Sequence, residues 1–414
     1  MASATPSSPS CGPRVFVHNA SLLNVDELTS AFGTPLPIAT PSSTRFEWLT
    51  NSDQHSLGGM VLSRLLHARS CPIAVSPENA DVFVVPISPI LPRAATPEEI
   101  NTVHDVMPPS QSEALVQTCR DITQTDWFAK LPELTRRNAA RHVFIHPKTF
   151  GIYGFCEGTV PGFGEAVRQN PSLQGWVWVG NQVGLRDSDG LHMLSIAFPS
   201  SVHMSANDLA SPPWRQGRFE RTYLAMFGGS MHGSSLARQI RPFLRDACAN
   251  ASKADPSRCK LITEEHMMNS LPAALEAKMQ STFCLEPPGY GLERKSIADA
   301  LTLGCIPVLF VQPDEDTFWP HHWTKAFLRR SHIYLDGTQV LRGEIDVFEQ
   351  LRGITSSQVA AMQRAISRHA HQLHVAFDEH YHTARLSHDD AVSRLFRAID
   401  STASEHARAL KVEI

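Results

Sequence analysis

Along the chain, short runs of β-branched and aromatic residues alternate with stretches in which apolar residues return every three or four positions. That alternation marks strands handing over to amphipathic helices. Residues 14–18 (RVFVH) read as a strand, and residues 53–69, with Leu57, Val61, Leu65 and Leu66 at helical spacing, as the helix after it. Residues 81–87 (DVFVVPI) and 142–146 (HVFIH) are further strands, separated by the proline-rich stretch 89–109 and a helical stretch at 112–122. Apolar runs at 176–179 and 194–198 follow, and then residues 205–218 (SANDLASPPWRQGR) lose all periodicity and mark a domain boundary.

Beyond that boundary the pattern restarts. Strands are expected at 222–227, 260–263, 282–286 and 306–311, with helices at 234–249, 271–280 and 295–303 between them. After residue 354 the chain reads as all helical, with Met362, Ile366, Leu373 and Phe377, then Val392, Leu395, Phe396 and Ile399, on apolar stripes. Strands joined by single helices predict right-handed βαβ units, and two such series predict two α/β lobes with parallel sheets. The expected divisions are a disordered segment at 1–13, a first lobe at 14–210, and a second lobe at 211–414 that carries the terminal helices.

Composition narrows the partners. The 414 residues are 42% hydrophobic and 19% charged, ordinary values for a folded chain of two or three compact units. With 37 basic against 41 acidic side chains, no polycationic surface is expected for nucleic acid or anionic lipid. The longest apolar stretches, 82–91 and 301–311, are too short to span a bilayer and contain proline, so they read as buried strands. The first residues, MASATPSSPSCGP, have neither the basic flank nor the apolar core of a signal peptide, and no anchor is expected from them.

Eight cysteines form no CxxC pair, so neither a zinc site nor a thioredoxin-like motif is indicated. Cys248 and Cys259 flank a polar loop and are either a disulfide or two ordinary thiols. Two glycosylation sequons start at Asn19 and Asn250.

Candidate chemistry concentrates in residues 282–311, TFCLEPPGYGLERKSIADALTLGCIPVLFV. A buried strand leads into a loop of Pro287, Pro288, Gly289 and Gly291, then into a helix whose first turn holds Arg294, Lys295 and Ser296. Free backbone N–H groups, the positive end of the helix dipole and two cations suit a diphosphate, while Asp299 lies one turn further on, at a distance suited to ribose hydroxyls. On spacing alone, a surface helix with solvated charges fits the same residues.

The strings Phe283-Cys284-Leu285-x-Pro287-x-Gly289, Arg294-Lys295-Ser296-Ile297-x-Asp299-Ala300-Leu301 and Gly304-Cys305-Ile306-Pro307-Val308 resemble the signature of exostosin-family glycosyltransferases, family 47. The likeness is greatest to the branch containing plant xyloglucan galactosyltransferases. Residues 80–86 (ADVFVVP) and Arg221-Thr222-Tyr223-Leu224 with Phe227-x-Gly229 resemble two further strands of that family, and residues 362–374 its terminal segment.

The resemblance implies a GT-B fold, two Rossmann-like lobes facing across a cleft, the second holding a nucleotide sugar and the first the acceptor. It implies an inverting transfer from a UDP-sugar to a hydroxyl of a glycan or glycoprotein, in polysaccharide or cell-wall biosynthesis and a Golgi or secretory lumen. By the same likeness Arg294, Lys295 and Ser296 would hold the diphosphate beside Gly289, Asp299 the ribose, and Arg221 would lie near the phosphates. The UDP-sugar is then a co-substrate, and no metal or other cofactor is required.

The chain departs from that pattern at two places. Tyr290 stands where the family usually has an acidic residue after the loop glycine, and the first strand ends in His18-Asn19 where an aromatic and an acidic residue are common. His18, ending a strand, and Glu157, in a glycine-rich stretch, are the candidates for the base, each with an ordinary structural reading beside it. Asp187-Ser188-Asp189 and Asp314-Glu315-Asp316 match the metal-holding acidic triplet of GT-A enzymes, but also the commoner solvated loop. His374, Asp378 and His382 share one helical face, as a zinc site or a polar surface would. A non-catalytic glycan- or nucleotide-sugar-binding relative is the alternative function. An NAD-dependent epimerase is disfavoured because no GxGxxG follows the first strand.

Overall fold

The computed structural model describes residues 13–18, 34–35, 49–51, 57–67, 73–86, 116, 119–120, 141–145, 160–169, 177–180, 192–204, 211–263, 271–375 and 389–412. Within them the chain is α/β, built on two parallel sheets. The first is formed by β1 (Arg14–Val17), β4 (Ile73–Ala74), β5 (Val82–Pro86), β6 (His142–Ile145), β7 (Val177–Gly180) and β8 (His192–Ser195), in the order β4-β1-β5-β6-β7-β8. Between its first strands, β2 (Thr34–Pro35) and β3 (Thr50–Asn51) pair antiparallel as a separate piece.

The second sheet holds β9 (Tyr223–Gly228), β10 (Cys259–Ile262), β11 (Ser281–Glu286), β12 (Ile306–Leu309) and β13 (Ile333–Tyr334), in the order β10-β9-β11-β12-β13. Strand by strand, both sheets wind in the same sense. The second strand in sequence lies outside the first, and the third returns on the first strand's other side. That leaves a topological switch point between β1 and β5 in one lobe and between β9 and β11 in the other. The architecture is thus the pair of Rossmann-like lobes expected of the GT-B type.

Burial explains why these runs are strands. Val15 and Val17 of β1, Val82 and Val84 of β5, and Val143 of β6 alternate onto one face, where helix α1 (Leu57–His67) covers them with Leu57, Met60, Val61 and Leu65. In the second lobe β12 is buried along its whole length and β11 along nearly all of it, as expected of central parallel strands covered on both faces. In the first half α2 (Phe163–Gln169) precedes β7.

The helices of the second lobe start where their sequences supply caps. In α3 (Ser235–Ala254) the Ser234 hydroxyl accepts a hydrogen bond from the Ala237 N–H, and Ala237, Ile240, Leu244, Cys248 and Ala251 form the buried stripe. The next two are α4 (Leu271–Gln280) and α5 (Lys295–Thr302). After α6 (Lys325–Ser331), Asp336 caps α7 (Gly337–Leu341) and Asp346 caps α8 (Val347–Gly353). Helix α9 (Ser356–His369) opens with a reciprocal capping box between Thr355 and Gln358.

The last helix, α10 (Ala391–Val412), corrects the domain division read from the sequence. Its apolar stripe, Val392, Leu395, Phe396 and Ile399, lies in the core of the first lobe with Val15, Val84 and Leu65, not in the second. Periodicity identifies the buried face of a helix but not the surface that covers it.

The chain therefore crosses between lobes twice. On the outward crossing Ile196 still packs in the first core, whereas Ala197, Phe198, Val202 and Met204 pack in the second. The two crossings are bonded to one another: His203 Nδ1 donates to the Val375 carbonyl at 2.8 Å, and the Met204 N–H donates to His374 Nε2 at 2.8 Å. Burial drives the His374 pKa well below its ordinary value, which keeps the ring neutral and Nε2 able to accept. No helix among the described residues is long and apolar enough to cross a membrane.

Candidate functional site

In open parallel sheets, ligands sit outside the carboxyl ends of the strands at the switch point. In the second lobe that position lies between the ends of β9 and β11, and two glycine-containing loops fill it, residues 229–234 and 287–294. They are packed backbone to backbone. The Ser234 N–H donates to the Gly289 carbonyl at 2.9 Å. Gly233 has φ +136°, and a Cβ there would lie 2.8 Å from the Gly289 oxygen, so only glycine fits. The loops lead directly into α3 and α5, and both helix N-termini converge on the same place.

Two arginines clasp these loops. Arg241, buried on α3, donates through Nε to the Pro288 carbonyl at 2.9 Å and through Nη1 to the Ser230 carbonyl at 2.6 Å. Arg294, at the N-cap of α5, donates through Nη1 to the Pro287 carbonyl at 2.7 Å. Gly289 lies between them: a Cβ there would be 3.4 Å from Arg241 Nη2 and 3.6 Å from Arg294 Cδ. Gly229 keeps the other side open, with its Cβ position 4.0 Å from Arg294 Nη2.

Beneath the loops lies Glu286, the last residue of β11, which is 3% exposed. Its carboxylate pairs with Lys278 of α4, stands 3.7 Å from Arg294 Nη1, and accepts from the Ser296 hydroxyl at 2.9 Å. Burial works against its charge, but Lys278, Arg294 and these hydrogen bonds outweigh burial and hold its pKa below the ordinary glutamate value. Burial lowers the Arg294 pKa, and Glu286 opposes that shift. Lys278 also donates to the Ser296 carbonyl and hydroxyl, each at 3.1 Å, so the first turn of α5 is fixed from below. The result is an interlocked pair of loops in which Arg241, Arg294 and Lys278 outnumber the single carboxylate of Glu286, a cationic arrangement of a kind suited to an anion.

Lys295 and Asp299 are used differently from their expected roles. Lys295 Nζ donates to the Ser201 hydroxyl at 2.6 Å and to Asp299 at 2.9 and 3.1 Å. Asp299 is 4% exposed and also accepts from the Ser201 N–H at 2.6 Å. This clasp ties α5 to the outward crossing. Asp299 is therefore not placed as the ribose assignment expects: its carboxylate is buried and engaged on both oxygens within the protein.

Arg221 is also corrected. It precedes β9, so it lies at the amino ends of the strands, opposite the site. There its guanidinium donates to the carbonyls of Lys278, Ser281 and Leu303 at 2.7 to 2.9 Å and supports the turn at Gly304. Burial lowers its pKa to about 10.

His18 does not line an open cleft. It is 2% exposed, its ring stacks on His142 with the Nε2 atoms 3.2 Å apart, and burial lowers its pKa to about 4. The ring is therefore neutral and packed among its neighbours rather than exposed. Glu157, Asn19, Asp187, Asp189, Asp378 and His382 lie outside the described residues.

In the second acidic triplet Asp314 accepts from the Asp316 N–H, Glu315 pairs with Arg329, and Asp316 pairs with Lys325. No cluster of three potential metal ligands occurs among the described residues. Glu286, Lys278 and Arg241 are the site residues that the sequence reading passed over. Glu286 had a visible signal, a charge closing the apolar strand TFCLE.

Cys248 and Cys259 form a disulfide that joins the last turns of α3 to β10. A second bridge, Cys284–Cys305, links β11 to the residue before β12, and Cys119 is also disulfide-bonded.

Comparison with known proteins shows the family. The family model described as Exostosin GT47 domain matches residues 11–326. The chain belongs to the exostosin GT47 family. Among its relatives in Arabidopsis thaliana, Xyloglucan-specific galacturonosyltransferase 1 is 28% identical over 168 residues, 39% of this chain and 24% of that protein. Probable xyloglucan galactosyltransferase GT15 is 31% identical over 152 residues, 36% of this chain and 31% of its own length. The alignments thus span about a quarter to a third of these relatives. A solved structure titled "Crystal structure of GtfA/B complex" matches at a TM-score of 0.34 and 10% identity, covering 74% of this chain and 62% of that one. So low a score adds nothing to the topology above.

Proposed function

We propose that this exostosin GT47 protein is an inverting glycosyltransferase that moves a sugar from a UDP-sugar to a hydroxyl of a glycan or glycoprotein. The observation that carries the reading is the meeting of two glycine loops, two helix N-termini, Arg241 and Arg294 at the switch point of the second lobe. In the transfer, the acceptor hydroxyl gives its proton to a general base, for which Glu157 is the remaining sequence candidate, as its oxygen bonds to the anomeric carbon from the face opposite the leaving group. The bond from that carbon to the diphosphate oxygen breaks, and its electron pair leaves with the diphosphate. Arg294, with the amides at the start of α5, meets the charge that develops there. Glu286, Lys278 and Ser296 hold Arg294 and that helix turn in place. Lys295, which the family resemblance assigns to phosphate, is tied to Ser201 and Asp299, and we assign it to holding α5 against the crossing.

The names of the relatives support a galactosyl or galacturonosyl donor and a cell-wall polysaccharide acceptor. Two disulfides, Cys248–Cys259 and Cys284–Cys305, and a further bonded cysteine, Cys119, favour an oxidising compartment such as the Golgi or secretory lumen. On this reading Arg241, Arg294 and two helix N-termini would face the leaving group, so transfer is expected to survive chelation by EDTA, and no metal or other cofactor enters the proposal.

One observation favours a second reading, a non-catalytic nucleotide-sugar or glycan binder. Tyr290 stands where the family usually has an acidic residue. Sugar-donor turnover with a xyloglucan acceptor separates the two.

For the donor site, Arg294→Ala removes charge-assisted hydrogen bonds to phosphate. It should weaken UDP binding by about 1.5 to 3 kcal/mol, roughly ten- to hundredfold, by calorimetry. Equal affinity in the two proteins would move the donor elsewhere.

A further inference from the structure

Tyr290 stands apart from the rest of the second lobe. It is 61% exposed, although Pro287 and Pro288 just before it are buried. Single exposed aromatics are ordinary on protein surfaces, but this one stands on a fixed support. It forms the apex of a tight turn in which the Gly289 N–H donates to the Gly291 carbonyl at 2.8 Å. The stem of that turn is held from three directions: Arg294 on the Pro287 carbonyl, Arg241 on the Pro288 carbonyl, and the Ser234 N–H on the Gly289 carbonyl. Gly289 and Gly291 place no side chain beside the ring.

The apex therefore presents a flat aromatic surface at the rim where the N-termini of α3 and α5 converge. A ring carried on a fixed backbone loses little freedom when a ligand covers it. An acid at this position would accept hydrogen bonds from hydroxyl groups, whereas tyrosine offers a π-face. That face is complementary to another planar ring.

We propose that Tyr290 is the stacking platform for the nucleobase of the donor, a specificity-determining residue of the site. The inference rests on the donor-site reading above, with the diphosphate at Arg294 and the base extending over the loop apex. The ring adds affinity for a nucleoside diphosphate and none for a bare diphosphate.

The test compares UDP and inorganic pyrophosphate as ligands of the full chain, by calorimetry and by competition, in wild type, Tyr290→Ala, Tyr290→Phe and Arg294→Ala. Tyr290→Ala should weaken UDP roughly five- to hundredfold, the range found for base–aromatic stacking, and leave pyrophosphate unchanged. Tyr290→Phe should retain UDP affinity within about twofold, because the π-face is kept. Arg294→Ala should weaken both ligands.

Equal losses of UDP and pyrophosphate in Tyr290→Ala would mean that the loop has collapsed, and would overturn the stacking role. Unchanged UDP affinity with a raised acceptor KM would also overturn it, in favour of an acceptor contact. If Arg294→Ala leaves UDP binding intact, or UDP does not bind wild type, the donor site itself is misplaced. If Arg294→Ala weakens UDP and Tyr290→Ala does not, only the platform is lost.

Discussion

At the switch point of the first sheet, β1 runs out into His18, stacked on His142 with Phe16 and Phe83 around it. At the switch point of the second sheet, β11 runs out into Glu286, ringed by Lys278, Arg294 and Ser296 under two interlocked glycine loops. The strands wind in the same order in both lobes, so topology provides the same crevice twice. Side-chain chemistry separates them. In the first lobe the described residues at this position are neutral rings packed on the sheet. In the second they are fixed charges beside the starts of two helices. On the proposed donor reading, electrostatics would direct a negatively charged nucleotide to the second crevice, with no difference in winding.

The largest expected effect tests whether the lobes are divided as the packing indicates. Phe396 is fully buried in the first core, although it belongs to the last helix of the chain. Phe396→Ala should cost about 3 to 5 kcal/mol in chemical denaturation, and amide exchange should accelerate first in β1 and β5. Acceleration confined to the second sheet would return α10 to that lobe.

A somewhat smaller effect is expected at the charge cluster that distinguishes the second crevice. Glu286→Gln leaves Lys278 and Arg294 buried without their counter-charge and should cost about 3 kcal/mol at neutral pH. The folded pKa of Glu286 lies below its unfolded value, so its stabilisation is present above the ordinary glutamate range and is lost as pH falls through the folded value. Stability curves of wild type and variant should consequently converge in acid. A gap that stays constant with pH would mean that the carboxylate charge contributes nothing.

Smaller still is the clasp between the lobes. Asp299→Asn keeps the shape but removes the charge that Lys295 contacts, and should lower stability by about 1 to 2 kcal/mol. The preference for UDP over its 2′-deoxy analogue should not change. A shifted preference would restore Asp299 to the ribose.

Much of this arrangement was legible in the sequence. The central parallel strands read as unbroken apolar runs, VFVV in β5 and IPVL in β12, because both of their faces are buried. The two-residue edge strands Ile73–Ala74 and Ile333–Tyr334 were not legible, since two residues carry no period. Helices α7 and α8 were not read from the sequence, where their one local mark is the capping residue before each, Asp336 and Asp346.

At the site, the loop 287–294 and its arginine were found from composition, because glycine and cations before a helix have a local meaning. Arg221 was assigned by likeness, although its place before β9 puts it at the amino end of a parallel strand, away from any switch-point ligand. Arg241 and Lys278 carried no local signal; they reach the site only because the fold brings α3 and α4 beside β11. The second sequon, at Asn250, falls on the exposed side of α3 near its carboxyl end, remote from the loops.

The comparison of the two crevices is tested most directly by hydrogen–deuterium exchange of the intact protein with and without UDP. The account predicts new protection in residues 229–235 and 287–297, with residues 14–18 and 82–86 unchanged. Protection at the ends of β1 and β5, with none in the second lobe's loops, would contradict it.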